Sequence, residues 1–160
     1  MGLSLLLEAV LAAKENERLA SEFYADSATK ISNPLGKKLF EQLDQFERYH
    51  YEKLSALEKN LREKEAFIKY EAHEIPLTPR IMIAAEQDPN NMSVISIIKK
   101  AIELETLAEK TYLKLAEETA DPDGHYMFSR LSEEEHLHYH ILKEAYWSLN
   151  NSGQWEWTLR

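Results

Sequence analysis

Apolar residues recur along this chain at intervals of three and four and almost nowhere alternate, which is the period of helices with one buried face. Breakers cut the pattern in three places. Asn33-Pro34 and Asp121-Pro122 each set a capping side chain before a first-turn proline. Between them, EIPLTPRIMIAAEQDPNNMS (74–93) holds the other three prolines and ends in Ser93, a candidate cap. The pattern predicts four helices, at about 3–31, 34–72, 93–119 and 122–151. The short connections make two antiparallel hairpins, 3–72 and 93–151. The long crossover, 73–92, lets helices two and three run parallel. This is an all-α four-helix bundle forming a single domain over 1–160, with a C-terminal tail at 152–160.

The two hairpins are repeats. With an offset of 88 residues, 13–54 align with 101–142 without a gap and share 15 identities in 42 positions. Ala13, Glu15, Glu17, Leu19, Ala20, Tyr24 and Ala28 recur as Ala101, Glu103, Glu105, Leu107, Ala108, Tyr112 and Ala116. Pro34-x-Gly36 recurs as Pro122-x-Gly124. Phe40, Leu43, Glu47, His50, Tyr51 and Leu54 recur as Phe128, Leu131, Glu135, His138, Tyr139 and Leu142. Two copies of one ancestral hairpin are expected to be alike inside.

That expectation settles which faces are buried. Phe40, Leu43, Glu47, His50 and Leu54 are spaced 3-4-3-4 and form one helical stripe, repeated by Phe128, Leu131, Glu135, His138 and Leu142. On the other two helices one carboxylate interrupts an apolar stripe: Val10, Ala13, Glu17, Ala20, Tyr24 and its copy Ile98, Ala101, Glu105, Ala108, Tyr112. Glu133 and His136 also have Glu-x-x-His spacing, but their stripe runs through Ser129 and His140 and reads as solvated.

A buried carboxylate is costly unless paired or metal-bound. Four at one level would repel one another, and some would stay protonated. Two divalent cations balance four such charges. One glutamate from each of two helices, with Glu-x-x-His from each of the others, is a ligand set for two metals in a bundle core. Alanines one turn either side of Glu17 and Glu105 leave room for ions.

Charge and composition narrow the remaining classes. The net charge of -9 and a pI near 5.2 disfavour nucleic acid and anionic membranes as partners. With no cysteine, thiol catalysis, disulfides and iron–sulfur clusters are excluded from these residues. The start, MGLSLLLEAVLAAK, has no basic residue before Lys14 and too short an apolar run to span a bilayer. A cytoplasmic location is the default expectation.

Glu17-x6-Tyr24, Glu47-x-x-His50, Glu105-x6-Tyr112 and Glu135-x-x-His138 resemble the motifs of rubrerythrin-type di-iron proteins, within the ferritin-like superfamily. The resemblance spans about 140 of the 160 residues. It implies two iron ions, with manganese or zinc as alternatives. Glu47 and Glu135 would bridge, Glu17 and Glu105 would be terminal, and His50 and His138 would each give one nitrogen. Tyr24 and Tyr112 would donate to ligand carboxylates. It also implies H2O2 or O2 as oxidant and a homodimer.

Two departures stand out. Typical members carry an iron–tetracysteine domain, which this cysteine-free chain does not contain, so reduction would need an external electron donor. They also commonly place an extra glutamate at the position of Ala108. The readings that follow are a peroxide reductase or ferroxidase, a metal-handling protein without turnover, and a metal-free interaction bundle. His73, His125, His136 and His140 are expected at the surface. Of Trp155 and Trp157, which alternate, one is expected to dock while the other stays accessible, either covering the bundle end or meeting a second subunit.

Overall fold

The computed structural model describes residues 1–73, 77 and 91–158. Four helices account for most of them: α1 (Leu3–Lys30), α2 (Pro34–Lys64), α3 (Asn91–Glu118) and α4 (Pro122–Ser152). The two tight connections are built as their sequences require. Asn33 accepts from the amides of Leu35 and Gly36 at 2.9 and 3.2 Å, and Asp121 accepts from those of Asp123 and Gly124 at 2.9 and 3.1 Å.

Two apolar clusters fix the directions of the helices. One joins Ala20, Tyr24 and Ala28 of α1 with Leu39, Phe40 and Leu43 of α2, Val94, Ile98 and Ala101 of α3, and Leu142, Ala145 and Leu149 of α4. The other joins Val10 and Ala13 with Leu54, Leu57 and Leu61, then Tyr112 and Leu115 with Met127, Phe128 and Leu131. The first halves of α2 and α3 share a cluster, so these helices run parallel. Within each hairpin the halves are opposed, so α1/α2 and α3/α4 are antiparallel. The architecture is the all-α four-helix bundle with one crossover expected from the pattern, and the ferritin-like one that the resemblance implies.

The boundaries differ in one place of consequence. Helix two was expected to reach residue 72, yet α2 stops at Lys64, where Glu65 turns into the left-handed region at φ 53°. Residues 66–73 then run extended along the bundle instead of lengthening α2. Phe67 packs on Phe128 in one cluster, Tyr70 is buried, and Leu77 lies in the other cluster at the opposite end. The apolar three–four spacing continues past residue 64 because this strap also buries side chains, without being a helix. Ser93 lies inside α3, which begins two residues before it. Apart from Leu77, residues 74–90 of the crossover lie outside the described residues.

The tail overturns the alternation expected for the tryptophans. Gly153 ends α4 at φ 70°, and both Trp155 and Trp157 are buried within this chain. Trp155 sits edge-on to Phe40, with ring centroids 6.3 Å apart, and a Cβ at Gly36 would overlap its indole. Trp157 Nε1 donates to the Leu77 carbonyl at 3.3 Å. Alternation failed as a guide because residues 154–158 are not an exposed strand: they turn across the bundle end and find an apolar surface on each side.

The repeat explains the second glycine as well. A Cβ at Gly124 would lie 2.6 Å from Phe67 Cε1. Phe67 and Trp155 are 88 residues apart, so each hairpin sends an aromatic ring back over the glycine that opens the other hairpin's second helix. No helix among the described residues is long and apolar enough to cross a membrane.

Candidate metal centre

Between the two apolar clusters lies a layer of buried polar side chains, one level from each helix. Glu17, Glu47, Glu105 and Glu135 are each at most 2% exposed, and His50 and His138 are fully buried. The six residues singled out by the repeat are thus brought together. They form two overlapping groups, Glu17, Glu47, His50 and Glu135, and Glu47, Glu105, Glu135 and His138. Within each group the ligand atoms lie within 4.8 Å of one another, and both groups share Glu47 and Glu135.

The histidines present the same nitrogen to this layer. His50 Nδ1 lies 2.9 Å from Glu135 Oε1 and 3.5 Å from Glu17 Oε1. His138 Nδ1 lies 3.5 Å from Glu47 Oε1 and 3.6 Å from Glu105 Oε2. The rings are nearly parallel, 6.4 Å apart. Glu17 Oε2, Glu47 Oε1, Glu105 Oε2, Glu135 Oε1 and both Nδ1 atoms are buried without a hydrogen-bond partner. Native proteins seldom leave so many polar atoms unsatisfied in one place. A donor set of four carboxylates and two imidazoles fits a pair of divalent transition-metal ions on charge and ligand type.

The tyrosines cross between the hairpins. Tyr24 donates to Glu105 Oε1 at 2.5 Å, and Tyr112 donates to Glu17 Oε1. Each therefore orients the glutamate of the other hairpin, two turns away along the neighbouring helix. Burial, with the neighbouring carboxylates, raises both phenols well above their ordinary value, so they remain donors.

Protonation follows the crowding. Burial, then the charges of Glu135, Glu17 and Glu105, pushes Glu47 well above the ordinary 4.5. Burial, then Glu105 and Glu17, does the same to Glu135. Burial also opposes ionisation of Glu17, but its hydrogen bond with Glu47 and the nearby His50 outweigh it and lower its pKa. For His50, burial disfavours the charge, yet Glu17, Glu134 and Glu47 together raise it well above 6.5.

These directions set a pH dependence. In the metal-free protein Glu47 and Glu135 keep protons that the unfolded chain releases above pH 4.5. Their stabilisation is complete below that value and is lost as pH rises towards the folded-state values. His50 adds the same trend above 6.5. Glu17 oppositely loses stabilisation only as pH falls below 4.5. The metal-free melting temperature should therefore fall as pH rises above about 5, and a saturating divalent cation, taking the place of the protons, should cancel the fall. Thermal melts followed by circular dichroism check this. A metal-free midpoint that rises over the same interval would contradict it.

The layer is reached between α1 and α3. A cavity of about 50 Å³ lies there, its walls including Ala13, Ala20, Leu104, Leu107 and Ala108 beside Glu17 and Glu105. Ala108 and its repeat partner Ala20 thus leave space where a longer side chain would reach the carboxylates.

Two residues of this neighbourhood were not legible in the motifs. Glu134 is 6% exposed and Tyr70 is 4% exposed, and Tyr70 donates to Glu134 Oε2 at 2.7 Å. One signal for Glu134 was available: it aligns with Phe46, so the second hairpin has a charge where the first has a core aromatic. The other histidines lie elsewhere. His73, His125 and His136 are exposed and His140 is half-buried. Glu133 is exposed as expected of a solvated pair.

The family model described as Rubrerythrin matches residues 8–146. No curated protein matches the chain. Among solved structures, a hypothetical protein from Pyrococcus furiosus is 25% identical, the match covering 99% of this chain and 94% of that one at a TM-score of 0.73.

Proposed function

The chain belongs to the rubrerythrin family, and from that premise we propose that it is a di-iron carboxylate oxidoreductase in which H2O2 or O2 oxidises the reduced centre. The observation that carries the reading is the pair of overlapping four-residue groups with Glu47 and Glu135 in common. Glu17 and His50 would hold one ion, Glu105 and His138 the other, and the two shared glutamates would bridge. Manganese or zinc would fit the same donors. Two iron(II) ions there would supply the two electrons that cleave a peroxide O–O bond.

The chain's own contribution is positioning and exclusion. Tyr24 and Tyr112 hold the terminal glutamates from the opposite hairpin, fixing which oxygens remain free for ligation. Apolar layers above and below, from Phe40 and Leu43 at one end to Leu54, Phe128 and Leu131 at the other, keep bulk water from the donors. The cavity beside Ala108, of about 50 Å³, has room for a molecule of the size of an oxidant. Electrons would come from a donor outside these residues, which contain no cysteine for a second iron centre.

One observation favours a second reading. At Ala108 there is no carboxylate towards which an iron could move on changing oxidation state, which suits a metal-handling protein that binds without turnover. One experiment separates them. Metal-free protein is titrated anaerobically with iron(II) and then mixed with H2O2 in a stopped-flow instrument. Saturation at two irons per chain, followed by oxidation at least about tenfold faster than free iron, supports the oxidoreductase. The same saturation without faster oxidation leaves metal handling, and no saturable binding removes both.

A further inference from the structure

The 88-residue repeat governs nearly every contact around the centre, so the place where it fails is informative. Tyr24 to Glu105 is mirrored by Tyr112 to Glu17, and the Asn33 cap by the Asp121 cap. The left-handed Glu65 is mirrored by Gly153. Behind the two histidines the mirror breaks. The rings of His138 and Phe46 meet edge to face, with centroids 4.6 Å apart. The equivalent of Phe46 is Glu134, and its Oε1 lies 3.7 Å from His50 Nε2.

Both of those facing atoms are buried and without a hydrogen-bond partner. Glu134 is not free to turn away, because its other oxygen accepts from Tyr70, which the strap after α2 delivers. The repeat counterpart of Tyr70 is Thr158, which instead donates to Glu144, away from the centre. Nδ1 of each histidine faces the carboxylate layer, so a ligating ring carries its proton on Nε2. At His50 a carboxylate oxygen lies 3.7 Å from that nitrogen; beside His138 the equivalent position holds the Phe46 ring, which offers no carboxylate acceptor. A carboxylate behind a ligating histidine fixes its tautomer and orientation and strengthens it as a donor, typically changing metal affinity 10- to 100-fold.

We infer that Glu134, tethered by Tyr70, is a positioning residue for His50 that makes the two metal positions unequal, so that the position served by Glu17 and His50 fills before the one served by Glu105 and His138. The inference rests on the di-metal reading and goes beyond it, since the repeat alone gives two equivalent positions. It also gives the strap a role: it turns a symmetric centre into one with a strong and a weak site.

The test is anaerobic calorimetric titration of the metal-free 160-residue chain with cobalt(II), with no turnover involved. The native chain should bind in two resolved steps. At one equivalent, the paramagnetically shifted imidazole N–H resonance should disappear in His50→Ala and persist in His138→Ala. Glu134→Gln should weaken the first step roughly 10- to 100-fold and leave the second in place. Glu134→Phe, which restores the repeat, should make the two steps alike. Tyr70→Phe keeps the carboxylate while removing its tether and should give a smaller loss on the same step, so the inference stays testable should Glu134→Phe fail to fold. Unchanged steps in Glu134→Gln, or equal weakening of both, would overturn the inference while leaving the di-metal reading intact. No cobalt uptake by the native chain would instead sink the di-metal reading itself.

Discussion

Replacing Glu47 and Glu135 together by glutamine should make the metal-free protein more stable and should abolish its stabilisation by metal. Both carboxyls are buried among like charges, and both hold protons well above the usual carboxylate range. Glutamine has nearly their volume. Its amide can donate to the neighbouring Glu17 and Glu105 carboxylates, as a protonated carboxyl would. At neutral pH the exchange removes the work of keeping two acids protonated. By analogy with buried charged groups replaced by neutral ones of similar size, the gain should be about 1–4 kcal/mol.

The opposite effect is expected with metal present. At a free cation concentration a hundred times the dissociation constant, one intact site stabilises the native protein by about 2.7 kcal/mol. Both sites share the replaced residues, so the double variant should gain almost nothing. Denaturant unfolding with and without cobalt(II) reads both halves of the prediction. A metal-free variant less stable than the native chain would mean that these carboxylates serve structure and not ligation.

The second large effect concerns the bundle end. Trp155→Ala should cost about 3–5 kcal/mol, the range for deleting a buried large aromatic. The indole is 1% exposed, sealing Phe40 and the start of α2. A companion substitution tests the geometry more sharply. Gly36→Ala lies in the first turns of a long helix, where alanine would ordinarily help by up to about 1 kcal/mol. Here the added methyl overlaps the indole, so the substitution should destabilise the native chain. In the Trp155→Ala background the same change should become neutral or stabilising. A double-mutant cycle by denaturant unfolding measures that reversal of sign. Additive effects would show that Gly36 and Trp155 do not meet in solution.

Such a contact marks the boundary between what was legible in the sequence and what was not. Helix period, caps and first-turn prolines are local, and they placed α1 and α4 to within a residue or so at either end. The repeat then carried information across the chain, because two copies folding around one centre must bury the same positions. That argument singled out Glu17, Glu47, His50, Glu105, Glu135 and His138, and it preferred Glu135 and His138 over the neighbouring Glu133 and His136. Period alone could not separate those two pairs.

The end of α2 was misread because apolar spacing records burial and not backbone form. Tyr70 is buried and Phe67 partly buried from an extended strap, whereas the pattern treats every buried side chain at helical spacing as helix. Both tryptophans are buried because the tail crosses an end assembled from distant residues, Gly36 and Phe40 for Trp155 and Leu77 for Trp157, on which a nine-residue segment carries no information.

What the sequence determined by itself is therefore whatever repeats: four helices in two equivalent hairpins, with one carboxylate layer between two apolar layers. Only the tertiary structure decided how the copies differ. Tyr24 and Tyr112 serve the opposite hairpin, and Glu134 stands behind His50 where Phe46 stands behind His138. The physical reason is that periodicity reports which side of its own helix a residue occupies. Which partner it meets there depends on the placement of a different segment, and for Glu134 that segment is the strap carrying Tyr70.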